Sequence, residues 1–218
     1  MGYLGRVIFV GKTFDVRPFA AYFVTGRSPS SRSREVVDYP VGHVVTVEPL
    51  DKTQEQNEIL HYPAILYDDD FVVVGNGTHT EEIFQSRDEK QLEKILDKWG
   101  VEPDGYTPRI AATISHSKMS LGMRTATNTK VLSISPELAN AYGFATYDGR
   151  ATSGKPQPFE LSMHSLFREK SLYVKTPEEL IRSILGSYIN SDLYVGAAAI
   201  MRNSYGKGWV VHVENRAE

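Results

Sequence analysis

Cysteine is absent from all 218 residues, which removes disulfides, thiolate metal ligands and cysteine nucleophiles together. A surplus of either charge is missing too: 24 Lys and Arg stand against 27 Asp and Glu, for a net charge of −3. That balance speaks against bulk nucleic-acid binding, which draws on a basic surface to release counterions. No apolar run approaches the ~20 residues of a membrane helix. Met1-Gly2-Tyr3-Leu4-Gly5-Arg6 lacks the basic-then-apolar pattern of a secretory signal, and Arg6 stands where a myristoylation site wants Ser or Thr. The expectation is a cytoplasmic protein with no membrane or nucleic-acid partner. The familiar catalytic signatures are missing as well: no Gly-x-Ser-x-Gly elbow, no Walker phosphate loop and no Gly-x-Gly-x-x-Gly. His43, His61, His79, His116, His164 and His212 form no metal-ligand spacing, so no metal site is expected.

What is present is an ordinary globular composition, 41% hydrophobic and 11% aromatic, in a chain of a length suited to one domain over 1–218. β-Branched and aromatic runs bounded by turn residues predict strands at Val7–Val10, Ala20–Val24, Val44–Val47, Ala64–Tyr67, Phe71–Val74, Ile110–Ile114, Val131–Ile134, Leu172–Val174 and Val210–Val213. Asp68-Asp69-Asp70 reads as a hairpin turn, with a cation site as its alternative. Leu92, Ile95, Leu96 and Trp99 fall at helical spacing before Gly100, and Thr80 with Glu81 and Glu82 suits a helix start. Thr176-Pro177-Glu178-Glu179 is the clearest helix start, with Leu180, Ile181, Ile184, Leu185 and Tyr188 on one face. Residues 148–158 and 202–208 read as loops. Many strands and few helices without regular alternation predict an α+β fold of largely antiparallel sheets.

The densest chemical signal is Thr25-Gly26-Arg27-Ser28-Pro29-Ser30-Ser31-Arg32-Ser33-Arg34, directly after a predicted strand. Guanidinium forks and hydroxyls match the several anionic oxygens of a phosphate, and a charged bond contributes about 1.5–3 kcal/mol when shielded. The same composition suits a solvated loop, although Gly26 and Pro29 favour a shaped turn. Gly75-Asn76-Gly77-Thr78-His79-Thr80 places polar groups at a strand end, as a site or as a plain turn. In Tyr106-Thr107-Pro108-Arg109-Ile110, Pro108 fixes the backbone before a strand, so Arg109 is presented to a ligand or to a salt bridge.

Together these segments resemble the archaeal-type IMP cyclohydrolase family. The likeness rests on Tyr3-Leu4-Gly5-Arg6, the Gly26–Arg34 loop, Asn76-Gly77-Thr78-His79 and Thr107-Pro108-Arg109-Ile110-Ala111-Ala112, in this order across the first half of the chain. The second half is similar more loosely, through Thr176-Pro177-Glu178-Glu179 and Gly208-Trp209-Val210. The resemblance implies a four-layer αββα sandwich of the Ntn-hydrolase type and a homo-oligomer. It also implies a cofactor-free closure of 5-formamidoimidazole-4-carboxamide ribonucleotide to inosinate, with loss of water. Ntn hydrolases use an N-terminal Cys, Ser or Thr; Met1-Gly2-Tyr3 supplies none, as in the cyclohydrolases of this fold. On this resemblance Arg27, Arg32 and Arg34, helped by Ser28 or Ser30, hold the 5′-phosphate. Asn76, Thr78 and His79 line the base or ribose, and Arg109 meets the carboxamide or formyl oxygen. Tyr62 or Tyr67 delivers a proton, with Glu102 and Asp104 as further acid/base candidates. The competing readings are a non-catalytic purine-nucleotide-binding protein and an amide hydrolase, the latter disfavoured by the missing nucleophile.

Overall fold

The computed structural model describes residues 2–115, 118–150, 155–204 and 206–217; His116, residues 151–154 of the loop at 148–158, and Tyr205 of the loop at 202–208 lie outside them. In chain order the strands are β1 (Arg6–Lys12), β2 (Pro18–Thr25), β3 (Arg34–Tyr39), β4 (Val44–Pro49), β5 (Tyr62–Tyr67), β6 (Phe71–Gly75), β7 (Arg109–Ser115), β8 (Lys118–Arg124), β9 (Thr129–Ile134), β10 (Asn140–Ala145), β11 (Phe167–Glu169), β12 (Tyr194–Arg202) and β13 (Trp209–Asn215). The helices are α1 (Pro29–Arg32), α2 (His79–Ser86), α3 (Leu92–Trp99) and α4 (Pro177–Tyr188). Among the described residues the strands form a six-stranded sheet, β11-β10-β1-β2-β12-β13, and a seven-stranded sheet, β3-β4-β5-β6-β7-β8-β9. Every strand pair runs antiparallel, giving an α+β fold with two large antiparallel sheets.

The two-residue period of a strand sends alternate side chains to opposite faces, and the core divides accordingly. On β6 and β7, Val72, Val74, Ile110 and Ala112 join the main core that both sheets share. Phe71, Val73 and Ala111 join a second cluster with Ile83, Leu92, Ile95 and Leu96 of α2 and α3. Each fully buried Leu or Ile there contributes about 1.5–3 kcal/mol, which holds both helices on the seven-stranded sheet. On the other sheet, α4 packs against β12, β13 and β2. Across the gap between the sheets, the Tyr22 and Tyr62 hydroxyls lie 2.9 Å apart. No helix among the described residues is long and apolar enough to cross a membrane.

Local chemistry explains the boundaries. The Asp triplet is a turn: Asp68 Oδ1 accepts the Asp70 and Phe71 N–H groups at 2.9 and 3.0 Å. Thr176 Oγ1 accepts Glu179 N–H at 3.2 Å and starts α4, as its sequence predicts. The strand expected at Leu172–Val174 does not form. Leu172 and Val174 are buried and Tyr173 is exposed, but the segment makes a single backbone bond, Leu172 N–H to Ala139 C=O at 2.7 Å, before the Thr176 cap takes over.

Candidate active site

Antiparallel pairing brings the start of β1, the end of β2, the start of β3 and the start of β5 to one edge of the sandwich, through the pairs Arg6↔Val24, Arg34↔Pro49 and Tyr62↔Val47. A cavity of about 640 Å³ opens there. Arg6 enters it from a turn that only glycine suits: Gly5 has φ 76°, and its carbonyl accepts the Thr25 N–H and hydroxyl at 2.9 and 2.7 Å. A Cβ on Gly5 would lie 2.1 Å from Thr146 Oγ1.

The cavity floor is cationic and buried. Arg6 and Arg34 are 5% and 4% exposed and both line the cavity. Arg6 donates to Glu102 Oε2 at 3.4 Å, to Ile59 C=O at 3.3 Å and from Nε to the Tyr62 hydroxyl at 3.4 Å. Arg34 donates from Nε to Ser31 C=O at 2.9 Å but makes no ion pair among the described residues. Burial, and then the field of Arg6, lower the Arg34 pKa below its ordinary value. Burial also pushes Glu102 up to about 7, against the pull of Arg6. Two guanidiniums facing one carboxylate leave a net positive floor, an arrangement that an incoming anion would relieve.

Above the floor stands the Arg/Ser segment. It is a shaped turn: Ser28 caps α1, accepting Ser31 N–H at 3.2 Å, while Ser31 Oγ accepts Ser28 N–H at 2.9 Å. Arg27, Ser28, Ser30 and Ser31 line the cavity, with the Arg27 guanidinium 4.5 Å from the Tyr3 ring centroid. Arg32 is exposed and outside the lining; its Nε donates to Gly26 C=O at 3.0 Å, so it braces the turn from behind. Tyr3, Tyr106 and Tyr147 form an aromatic wall, with Tyr3 and Tyr147 5.5 Å apart. Asp104 and Thr107 complete it beside Tyr106.

Other sequence candidates lie elsewhere. Asn76 is 1% exposed and spends its amide on structure: Nδ2 donates to Glu102 at 2.5 Å and Pro108 C=O at 2.9 Å, and Oδ1 accepts Ile110 N–H at 2.7 Å. His79 is fully buried. Its Nε2 contacts Ile110 C=O at 3.2 Å and its Nδ1 contacts Arg109 Nη1 at 3.3 Å, which fixes the tautomer as Nε2–H with Nδ1 accepting. Burial, and then Arg109, lower His79 to about 3, so the imidazole is neutral. Arg109 shares the helix-facing side of β7 with Ala111, not the inter-sheet side, and sits 5.2 Å from the Trp99 ring centroid. The Thr78 hydroxyl is buried and has no hydrogen-bond partner among the described residues. None of these four lines the cavity.

Tyr67 also stands outside the cavity lining. It occupies the far end of β5 from Tyr62, about 16 Å along the strand at ~3.3 Å per residue, and stacks on His43 at 5.2 Å. Tyr62 and Glu102 stand behind Arg6 and hold it from two sides. Sequence reasoning gave Arg6 no role, although it stands in a quoted motif; a charged residue just after a glycine and before an apolar strand was the available signal. Tyr3, in the same motif, and Tyr147, which no local pattern marks, were likewise given no role.

A two-sheet α+β protein with a cationic, aromatic-walled cavity of this size has the features of a small-anion site, and the dimensions suit a mononucleotide. Residues 3–206 match the IMP cyclohydrolase-like protein family, and the chain belongs to that family. It is 31% identical over 216 residues to an IMP cyclohydrolase of Thermococcus kodakarensis, covering 96% of each chain. It is 33% identical over 153 residues to an IMP cyclohydrolase of Methanocaldococcus jannaschii, covering 67% of this chain and 73% of that one. An IMP cyclohydrolase of Methanothrix thermoacetophila is 32% identical over 153 residues, covering 67% of this chain and 74% of its own.

Proposed function

We propose that this chain closes 5-formamidoimidazole-4-carboxamide ribonucleotide to inosinate at the Arg6–Arg34 cavity. The observation that carries the reading is the pair of buried guanidiniums against a single carboxylate, a floor whose charge calls for an anion. Arg34 with Arg27, Ser28 and Ser30 holds the 5′-phosphate, and the tyrosine wall takes the flat base. That leaves Arg6, fixed by Tyr62 and Glu102, to stabilise charge on the formyl oxygen. Because the attacking carboxamide and the formyl carbon belong to one molecule, the protein contributes orientation, electrostatics and proton transfer, and needs no cofactor. With α4 on one sheet and α2 and α3 on the other, the layering supports a four-layer αββα sandwich of the Ntn-hydrolase type.

The test is inosinate formation from the purified chain and the formamido ribonucleotide, followed against the uncatalysed rate. Acceleration, with a KM raised by Arg34→Ala, is expected. Tight inosinate binding without acceleration would make the chain a nucleotide-binding protein instead.

A further inference from the structure

The cavity wall carries a line of hydrogen bonds that the floor does not use. Thr107 Oγ1 donates to Asp104 Oδ2, and Asp104 Oδ1 accepts the Tyr106 and Thr107 N–H groups at 3.0 and 2.8 Å. The Tyr147 hydroxyl lies 2.7 Å from the same Thr107 oxygen. A threonine hydroxyl has one proton, and Thr107 gives it to a carboxylate, which can only accept. The Tyr147 O–H is therefore the donor in its contact with Thr107. Every hydrogen of the line points toward Asp104, and the free lone pairs of the Tyr147 oxygen remain for a ligand. All three residues line the cavity; Thr107 and Tyr147 are 2% and 3% exposed, while Asp104 stands at the solvent-exposed outer end of the line.

We propose that Tyr147, Thr107 and Asp104 form a proton relay that accepts the proton of the attacking carboxamide nitrogen and returns it to the departing oxygen. The inference rests on the ring-closure reading above and adds the proton path to it. In the addition step the nitrogen lone pair forms the new bond to the formyl carbon and the C=O π pair moves onto the formyl oxygen. One nitrogen-bound proton passes to the Tyr147 oxygen as the Tyr147 proton moves to Thr107 and the Thr107 proton moves to Asp104. The line then runs in reverse and delivers one proton to the formyl oxygen. In the elimination step the carbon–oxygen bond breaks with its electron pair on oxygen. The formamide N–H electrons become the ring C=N bond, and that proton leaves with the hydroxyl as water. Burial holds the Tyr147 phenol above its ordinary pKa, so it works by exchanging protons in concert and not as a standing phenolate.

Single-turnover and steady-state rates of four variants test the relay. Tyr147→Phe and Thr107→Val should each lower kcat by roughly 10²-fold, the scale of one acid–base contribution, with KM for the ribonucleotide within a factor of about three. Thr107→Ser keeps the hydroxyl and should restore most of the rate, whereas a packing role would not separate Ser from Val in this way. Asp104→Asn, which removes the terminal proton acceptor, should lower kcat by a similar factor with KM little changed. Circular dichroism and inosinate binding check that each variant is folded. An active wild-type chain whose Thr107→Val variant keeps full kcat sinks the relay alone. No inosinate from the wild-type chain overturns the ring-closure reading and the relay with it.

Discussion

Replacing Arg34 by methionine should stabilise the fold while crippling phosphate binding. Arg34 is 4% exposed, has no ion pair among the described residues, and lies in the field of Arg6, so the folded state bears the cost of an unneutralised cation. Methionine fills similar volume without that charge. Its gain is offset by loss of the bond from Arg34 Nε to Ser31 C=O, worth about 1 kcal/mol. Swaps of buried charge for apolar side chains stabilise by about 1–4 kcal/mol, so the net expectation is a gain of about 1 kcal/mol. For a chain of this size that is a Tm roughly 2–4 °C higher. Binding runs the other way. Losing one shielded, charge-assisted contact of about 1.5–3 kcal/mol raises KM roughly 10–100-fold. Thermal unfolding with and without inosinate reads both effects in one experiment. At a ligand concentration 100 times Kd the wild-type chain gains about 2.7 kcal/mol, and the variant at the same concentration gains little. A variant that melts lower than wild type and keeps its inosinate shift would refute the view of Arg34 as a strained anion ligand.

Three further expectations follow from the buried groups. Glu102 has its folded-state pKa raised to about 7 from 4.5, so its stabilising contribution is complete below about pH 4.5 and is lost as pH rises through 7. The stability difference between wild type and Glu102→Gln, from urea unfolding, should therefore shift by about 3 kcal/mol against the wild type between pH 4.5 and 8; a pH-independent difference would contradict it. His79, lowered to about 3, contributes stability that is full above about 6.5 and fades as pH falls toward 3. Its ring resonances should stay those of a neutral Nε2–H imidazole from pH 8 to pH 5, and an NMR titration near 6.5 would show the ring to be exposed. Tyr67→Phe should leave kcat within about twofold, since Tyr67 packs on His43 at the far end of β5; a larger loss in steady-state rate would put it back in the chemistry.

The strands legible in the sequence were those with β-branched or aromatic runs, such as β1, β5, β6 and β7. Of the five strands missed, β3 and β11 lack any long apolar run, and the other three carry a residue that local rules count against a strand. β8 contains Gly122, where a Cβ would lie 2.6 Å from Leu96 Cδ1, so glycine is there to admit α3. β10 contains Gly143, against which the Phe9 ring packs at 2.4 Å from a would-be Cβ. β12 is alanine-rich, with Gly196, and lies between β2 and β13 under α4. Each exception is set by a neighbour distant in sequence, which propensity does not see. The same limit applies to the site. The Arg27–Arg34 cluster stands out because its charges are adjacent in the chain. Arg6, Tyr3 and Tyr147 become a site only when β1, the Arg/Ser turn and the segment after β10 meet.

The position of Asn76, His79 and Arg109 outside the cavity lining has a physical reason that also explains their motif-like density. The end of β6 and the start of β7 must carry Glu102 under Arg6 without exposing it. Asn76 does so by bonding Glu102 with one amide proton and the β7 entrance with its remaining groups. Its orientation depends on Ile110 and Pro108, which in turn depend on the His79 bond to Ile110 C=O. Gly77 lets Arg109 lie over the turn, because a Cβ there would fall 2.5 Å from Nη1. The polar cluster is therefore a brace around a buried carboxylate, within which only Thr78 Oγ1 and Arg109 Nε find no partner among the described residues. Glu102 and Tyr62 then fix the guanidinium that faces the cavity, so the residues richest in sequence signal support the cavity through Arg6.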